Sequence, residues 1–228
     1  MSSPDSGLVG AAASLYAGTH ERQFARGKLR FDPVFSALLS DGRLPDRGSL
    51  LDLGCGQGVL LALLAVARTN TGMAAVSLQL ALQGIEIDAD RAAAAQRALR
   101  GLASVKAGDI RDAAFPPSSV VVLLDVLLYL SEGDQRKVLE KAFAALEPGG
   151  TLIVREANAA AGLAFRVTRW AERLLELKRG HWRDRLHYRS REQWTAMLTG
   201  LGLAVVAEPM SAGTPFANVL YVCKKREG

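Results

Sequence analysis

Three glycines at alternate positions, Gly54, Gly56 and Gly58, lie between an apolar run and an apolar helix pattern. Glycine adopts positive φ without strain and leaves the main chain bare, so a ligand can approach it closely. The following residues, Val59, Leu60, Leu61, Leu63, Leu64 and Ala67, read as a helix whose first N–H groups point back at the turn. Such a helix start favours a polar or anionic group of a ligand. Three more apolar runs end in carboxylates. One closes on Gly84-Ile85-Glu86-Ile87-Asp88, one on Val105-Lys106-Ala107-Gly108-Asp109-Ile110, and one on Val122-Leu123-Leu124-Asp125. In an open parallel sheet the strand C-termini form one edge, and ligands bind there. Glu86, Asp109 and Asp125 are therefore expected to face the glycine turn.

An α/β frame is needed to gather these residues. Residues 49–53 are short, apolar and end at glycine, as a strand covered on both faces does. The helix after the turn runs to about residue 67, and a second strand covers about residues 77–87. Asp88 and Asp90 open an Ala-rich helix to residue 99, their charges suited to its dipole. Short strands are expected near 104–107 and from 120 to 124. Ser131 caps a helix over 135–146, which Pro148-Gly149-Gly150 terminates before a strand over 151–155. Upstream, residues 8–30 read as helical, and Asp32 and Pro33 start a short helix to residue 39. Downstream, Leu163, Val167, Trp170, Leu174 and Leu177 repeat at helical spacing with charges between them, an amphipathic pattern. A basic, aromatic-laced stretch follows over 179–189. Ser190 and Gln193 then form a capping box for a helix to 201, and two closing strands cover 203–207 and 219–224.

Leu51-Asp52-Leu53-Gly54-Cys55-Gly56-Gln57-Gly58 resembles the first motif of the class I S-adenosylmethionine-dependent methyltransferases. Gly108-Asp109-Ile110 resembles their adenine-side motif, and Leu146-Glu147-Pro148-Gly149-Gly150-Thr151-Leu152 their turn before strand five. The resemblance covers about residues 28–225. It implies a three-layer αβα Rossmann-like fold, with a seven-stranded, mostly parallel sheet and an antiparallel last strand. It also implies S-adenosyl-L-methionine as cofactor. Glu86 stands where the family accepts both ribose hydroxyls, Asp109 where it meets the adenine amine, and Asp125 matches the acid after strand four. The donor would touch Gly54, Cys55, Gly56, Gly58, Glu86, Ile87, Asp109, Ile110, Asp125, Val126 and Tyr129. In the family the N-terminal segment, here 1–45, folds over the cofactor, and Lys28 or Arg30 is expected to pair with the methionine carboxylate. The catalytic domain would cover 46–228, with a helical lid insertion at about 158–190. The link from Arg68 to Gln83 is longer than the family's and suggests an insertion around 70–75.

Composition narrows the class. A chain of 228 residues that is 49% apolar suits one α/β domain with additions. A net charge of +5 is modest and is weak support for nucleic acid, which asks for a concentrated basic stripe. Two cysteines, Cys55 and Cys223, give no framework of bridges and fit a reducing cytoplasm. Three histidines and two cysteines show no metal-ligand spacing. The longest apolar run, 120–130, is too short to cross a bilayer and holds Asp125. No basic n-region precedes the Ala-rich run at 9–15, so no signal peptide is expected.

The acceptor side is read from residue types. An oxygen acceptor benefits from a base, and His187, Tyr188, His181, Tyr129 and His20 are candidates. His187 and Tyr188 fall after strand five, where the family often builds its acceptor pocket, and are taken as the catalytic pair. Tyr129 could shield a sulfonium with its ring face. Asp125 is followed by Val126-Leu127-Leu128, without the Pro-Pro-aromatic sequel of nucleic-acid amino-methyltransferases, and neither cysteine follows proline. The expected acceptor is thus a small molecule, free or carrier-bound, methylated at oxygen in secondary metabolism of pigment or polyketide type. Arg155, Arg183, Arg185 and Arg189 could meet an acidic carrier. The alternatives are RNA or protein methylation by the same core, or a non-catalytic cofactor-binding module. The G-x-G-x-G spacing disfavours an NAD-dependent oxidoreductase.

Overall fold

The computed structural model describes residues 5–39, 43–69, 79–161, 186–211 and 217–226. Seven strands form one sheet in the order β3-β2-β1-β4-β5-β7-β6. They are β1 (Arg47–Leu53), β2 (Gln79–Glu86), β3 (Ser104–Ala107), β4 (Ser118–Leu124), β5 (Leu146–Ala157), β6 (Leu203–Pro209) and β7 (Asn218–Lys225). The first five run parallel, and β7 runs antiparallel to both β5 and β6. This is the expected αβα arrangement with a reversed last strand. Because β2 and β4 both flank β1, the connections diverge there and a crevice opens at the strand tips.

Register fixes what stands at that rim. Leu53 is level with Ile85 of β2 and with Leu123 of β4. Glu86 is level with Ala107 of β3, and Leu124 with Arg155 of β5. The glycine turn, Glu86, Asp109 and Asp125 therefore leave the sheet along one edge.

Side chains alternate across the sheet, so adjacent strand residues feed opposite cores. Leu50, Val120, Val122 and Ile153 pack beneath helices α1 (Ser6–Ser14), α2 (Thr19–Phe31), α3 (Pro33–Leu38), α4 (Val59–Thr69) and α5 (Ala89–Ala98). Leu51, Leu53, Val121, Leu123 and Val154 pack beneath α6 (Glu132–Ala145) and α7 (Arg191–Gly200), against Val138, Leu139, Trp194 and Leu198. Each such buried aliphatic side chain contributes about 1.5–3 kcal/mol, so the rim is mounted on a stiff plate.

Three local readings change. The continuous helix over 8–30 is broken between α1 and α2. Tyr16 turns inward there and is buried, Gly18 caps α2 in extended conformation, and the Arg22 guanidinium donates to the carbonyls of Tyr16 and Ala17. The β5 strand begins at Leu146 rather than 151, because Leu146 already pairs with Ser118 before a register shift. The α6 helix begins at Glu132, directly after its Ser131 cap. The amphipathic run at 163–177, the insertion around 70–75, most of the lid insertion, His181, Arg183 and Arg185 lie outside the described residues.

Candidate active site

The glycine turn hangs from β2. The N–H groups of Gly54 and Cys55 both donate to the Ile85 carbonyl, at 2.8 and 3.1 Å. A Cβ on Gly54 would lie 2.6 Å from Val126 Cγ2, so this glycine lets the β4 tip close over the turn. Gly56 differs. Its φ is 58° and nothing lies within 4 Å of where a Cβ would be. The apex of the turn therefore offers bare main chain to open space.

Glu86 braces that apex. Its Oε2 accepts from Gly56 N–H at 2.7 Å and its Oε1 from Asp88 N–H at 3.1 Å. The side chain is buried, yet each carboxylate oxygen keeps a further lone pair for a ligand donor. Asp52, on β1 just before the turn, is 4% exposed. Burial, and then the negative charge of Glu86, push its pKa from 3.8 to about 7, with the Lys28 charge pulling the other way. Two carboxylates in so little water make a place that favours a cation. Burial and the same two acids raise the pKa of the Cys55 thiol, so it stays protonated and is not a nucleophile.

The N-terminal helices close one side. Tyr16 donates its hydroxyl to the Gln57 carbonyl inside the turn, at 2.9 Å. Lys28, half exposed on α2, lies 4.0 Å from Asp32. Arg30 is exposed, with its guanidinium carbon 5.6 Å from the Phe31 ring centre.

The opposite side is built on the tip of β4. Asp125 is a non-glycine residue at φ 58°, a conformation that persists only where its surroundings enforce it. Here Arg155 grips both its carboxylate oxygens. Glu156 accepts from the N–H groups of Val126 at 3.1 Å and Leu127 at 2.7 Å. The short helical turn Leu127–Tyr129 follows, with Tyr129 40% exposed. His187 donates its N–H to the Leu128 carbonyl at 2.8 Å, and Gln135 of α6 donates to the carbonyls of both His187 and Leu127 at 3.0 Å. These bonds bring His187 and the neighbouring Tyr188 to the same end of the sheet as Asp125. His20 is exposed near the start of α2.

Beyond β3, the Asp109 carboxylate is turned onto Arg111 through paired hydrogen bonds, and that bonding holds its pKa below the usual range. Lys141 of α6 donates to the carbonyls of Ile110, Arg111 and Ala113 at 2.8–3.0 Å and fixes the loop. Ile110 is buried in the core, whereas Ile87 is 65% exposed at the rim.

A family profile described as a methyltransferase domain matches residues 20–208. The chain belongs to the class I S-adenosylmethionine-dependent methyltransferases. An O-methyltransferase family protein from Burkholderia thailandensis shares the fold with a TM-score of 0.66 at 19% identity, over 96% of this chain and 64% of that one. An O-methyltransferase from neocarzinostatin biosynthesis, solved with S-adenosyl-L-homocysteine and 1,4-dihydroxy-2-naphthoic acid, aligns with a TM-score of 0.61 at 24% identity, over 90% and 56%. A carboxy-S-adenosyl-L-methionine synthase of Chromohalobacter salexigens is 29% identical over 124 residues, 52% of this chain. The chain spans less than half of that relative, 43% of its length.

The methyltransferase site holds residues that the sequence reading passed over. Asp52 was marked by being the one acid within Leu50-Leu51-Asp52-Leu53. Glu156 and Lys141 act through main-chain partners and had no local signal. Arg155, considered for an acidic carrier, is 2% exposed and is corrected to an internal residue. Arg189, the other described candidate, bonds to Gln135 and Glu132. Among the described residues no group of three His, Cys, Asp or Glu side chains could hold a metal, and no helix is long and apolar enough to cross a membrane.

Proposed function

We propose that this methyltransferase transfers a methyl group from S-adenosylmethionine to oxygen of a small or carrier-bound metabolite in secondary metabolism. The observation that carries the reading is the bare apex at Gly56, braced by Glu86 and set beside the buried acid Asp52. These residues fit the donor's parts. Glu86 retains lone pairs for two vicinal hydroxyls. Asp52 with Glu86 suits the ammonium, and Lys28 suits the carboxylate. The exposed side chain of Ile87 offers an apolar face on the adenine side. Asp109 would meet adenine through its main chain, since its carboxylate is held by Arg111.

S-adenosylmethionine supplies a methyl on a cationic sulfonium, open to in-line displacement. The protein's part is then to hold both partners in line and keep water out, which accounts for much of the rate gain in such reactions. His187, at the β4 side of the rim, is proposed to take the proton of an acceptor hydroxyl, with Tyr188 beside it. Tyr129 is proposed to bound the sulfonium. The oxygen assignment is supported by the O-methyltransferases among the structural neighbours, and the 124 matched residues of the synthase support donor handling, not the acceptor.

Calorimetry with S-adenosylhomocysteine tests the donor site. Binding is expected, with no competition from NAD, and a chain that binds NAD instead would overturn the reading. A screen of hydroxylated metabolites and carrier thioesters with methyl-labelled donor then identifies the acceptor.

A further inference from the structure

A charge cluster centred on the buried Arg155 joins two of the expected donor residues, Lys28 and Asp125, through residues not expected to touch the donor. Arg155 bonds Asp125 on one side, Nε to Oδ1 at 3.0 Å with Nη2 on Oδ2, and its Nη1 donates to Asp32 on the other. Asp32 in turn lies 4.0 Å from Lys28. The charges alternate along the row Lys28, Asp32, Arg155, Asp125, from the end of α2 to the tip of β4.

A buried ion pair is seldom more stabilising than apolar residues of the same volume, and what it supplies best is defined geometry. The β4 tip does not need Asp32. Asp125 N–H already donates to the Arg155 carbonyl at 3.0 Å, and Glu156 holds the next two N–H groups. The α3 helix does not need a charge at 32 either. Asp32 caps it by accepting from Val34 N–H at 3.2 Å, and asparagine caps equally well. What the link to Arg155 fixes is the end of α2, one turn after Lys28. Lys28 is near enough for its charge to act on both Asp32 and Asp52.

We propose that Arg155 is a positioning residue for the donor: by holding Asp32 it sets the end of α2 so that Lys28 is presented to the site beside Asp52. The inference rests on the donor reading above and adds the device that aims its cation.

The test is calorimetric titration of the full chain with S-adenosylhomocysteine. Asp32→Asn keeps the cap and the Oδ1 acceptor but removes the negative charge that ties residue 32 to Arg155 and Lys28. It is expected to raise Kd about tenfold, the size of one well-placed charged contact. Arg155→Lys replaces the forked guanidinium by a point charge that cannot hold both acids, and should reproduce the loss. A purely structural role would lower the urea midpoint and leave Kd unchanged. The deciding readout is a double-mutant cycle with Lys28→Gln. If the row acts through Lys28, Asp32→Asn adds nothing in the Lys28→Gln background. Kd unchanged in Asp32→Asn, or effects of the two substitutions that simply multiply, would overturn the inference while leaving the donor reading intact. A wild-type chain that does not bind would overturn the donor reading itself.

Discussion

Asp52→Asn separates what the buried acid does for the ligand from what it costs the fold. Asp52 titrates at about 7 in the folded chain against 3.8 ordinarily, chiefly through burial and then through Glu86. The folded state thus keeps a proton that the unfolded chain has already lost. For this group the sign is unambiguous: its contribution is most favourable below pH 4 and is lost as pH rises through 7. A shift of about three units at about 1.4 kcal/mol each makes the ionised carboxylate cost about 4 kcal/mol near pH 8, and only about 1 kcal/mol near pH 4.5. Asparagine cannot ionise, but its buried amide costs about 1–3 kcal/mol where unpaired. The variant should therefore be more stable than wild type near pH 8 and less stable near pH 4.5, a swing of about 3 kcal/mol. Urea unfolding of both proteins at the two pH values measures it, since other carboxylates such as Asp32 and Asp109 cancel in the difference. Donor binding should move oppositely. Wild type should bind S-adenosylhomocysteine more weakly as pH falls through 7, and Asp52→Asn should bind weakly with no such dependence. Equal stability differences at both pH values would refute the reasoning.

Glu86→Ala removes a charged hydrogen-bond acceptor and should weaken S-adenosylhomocysteine binding by about 1.5–3 kcal/mol, read by calorimetry; unchanged affinity would remove its assigned role. The two glycines should fail differently. Gly54→Ala drives a Cβ into Val126 and should lower unfolding stability by about 1–3 kcal/mol. Gly56→Val projects into open space and should chiefly abolish ligand binding, with about 1–2 kcal/mol of backbone strain; both are separated by urea titration alongside calorimetry. His187→Ala should cut turnover about 100-fold or more while leaving the Kd for S-adenosylhomocysteine unchanged, and normal turnover in the variant would exclude it as the base.

The rim was legible because its elements are local. Gly54, Gly56 and Gly58 and the acids closing each apolar run announce strand ends within a few residues, and parallel packing then places those ends together. Asp52 was visible as a charge inside an apolar strand, but not its raised pKa, which depends on Glu86 from another strand. The bond between Asp32 and Arg155 joins residues 123 positions apart, and that between Tyr16 and Gln57 joins residues 41 apart. No local period encodes such pairs. The break between α1 and α2 is partly local, since Gly18 disfavours helix and caps α2, while the inward turn of Tyr16 depends on the distant Gln57 carbonyl.

Tyr16 ties the first helical hairpin to the glycine turn proposed to hold the donor. A shortened version starting at β1 would keep the seven strands but strip α1, α2 and α3, and with them the buried Tyr16, Leu29, Phe35 and Leu38, from one face of the sheet. It would lose at once the hydroxyl that steadies the Gln57 peptide, the Lys28 cation and the Asp32 partner of the buried Arg155. Such a trimmed protein should unfold at lower urea as well as fail to bind the donor, so the hairpin is part of the fold and not a detachable cover.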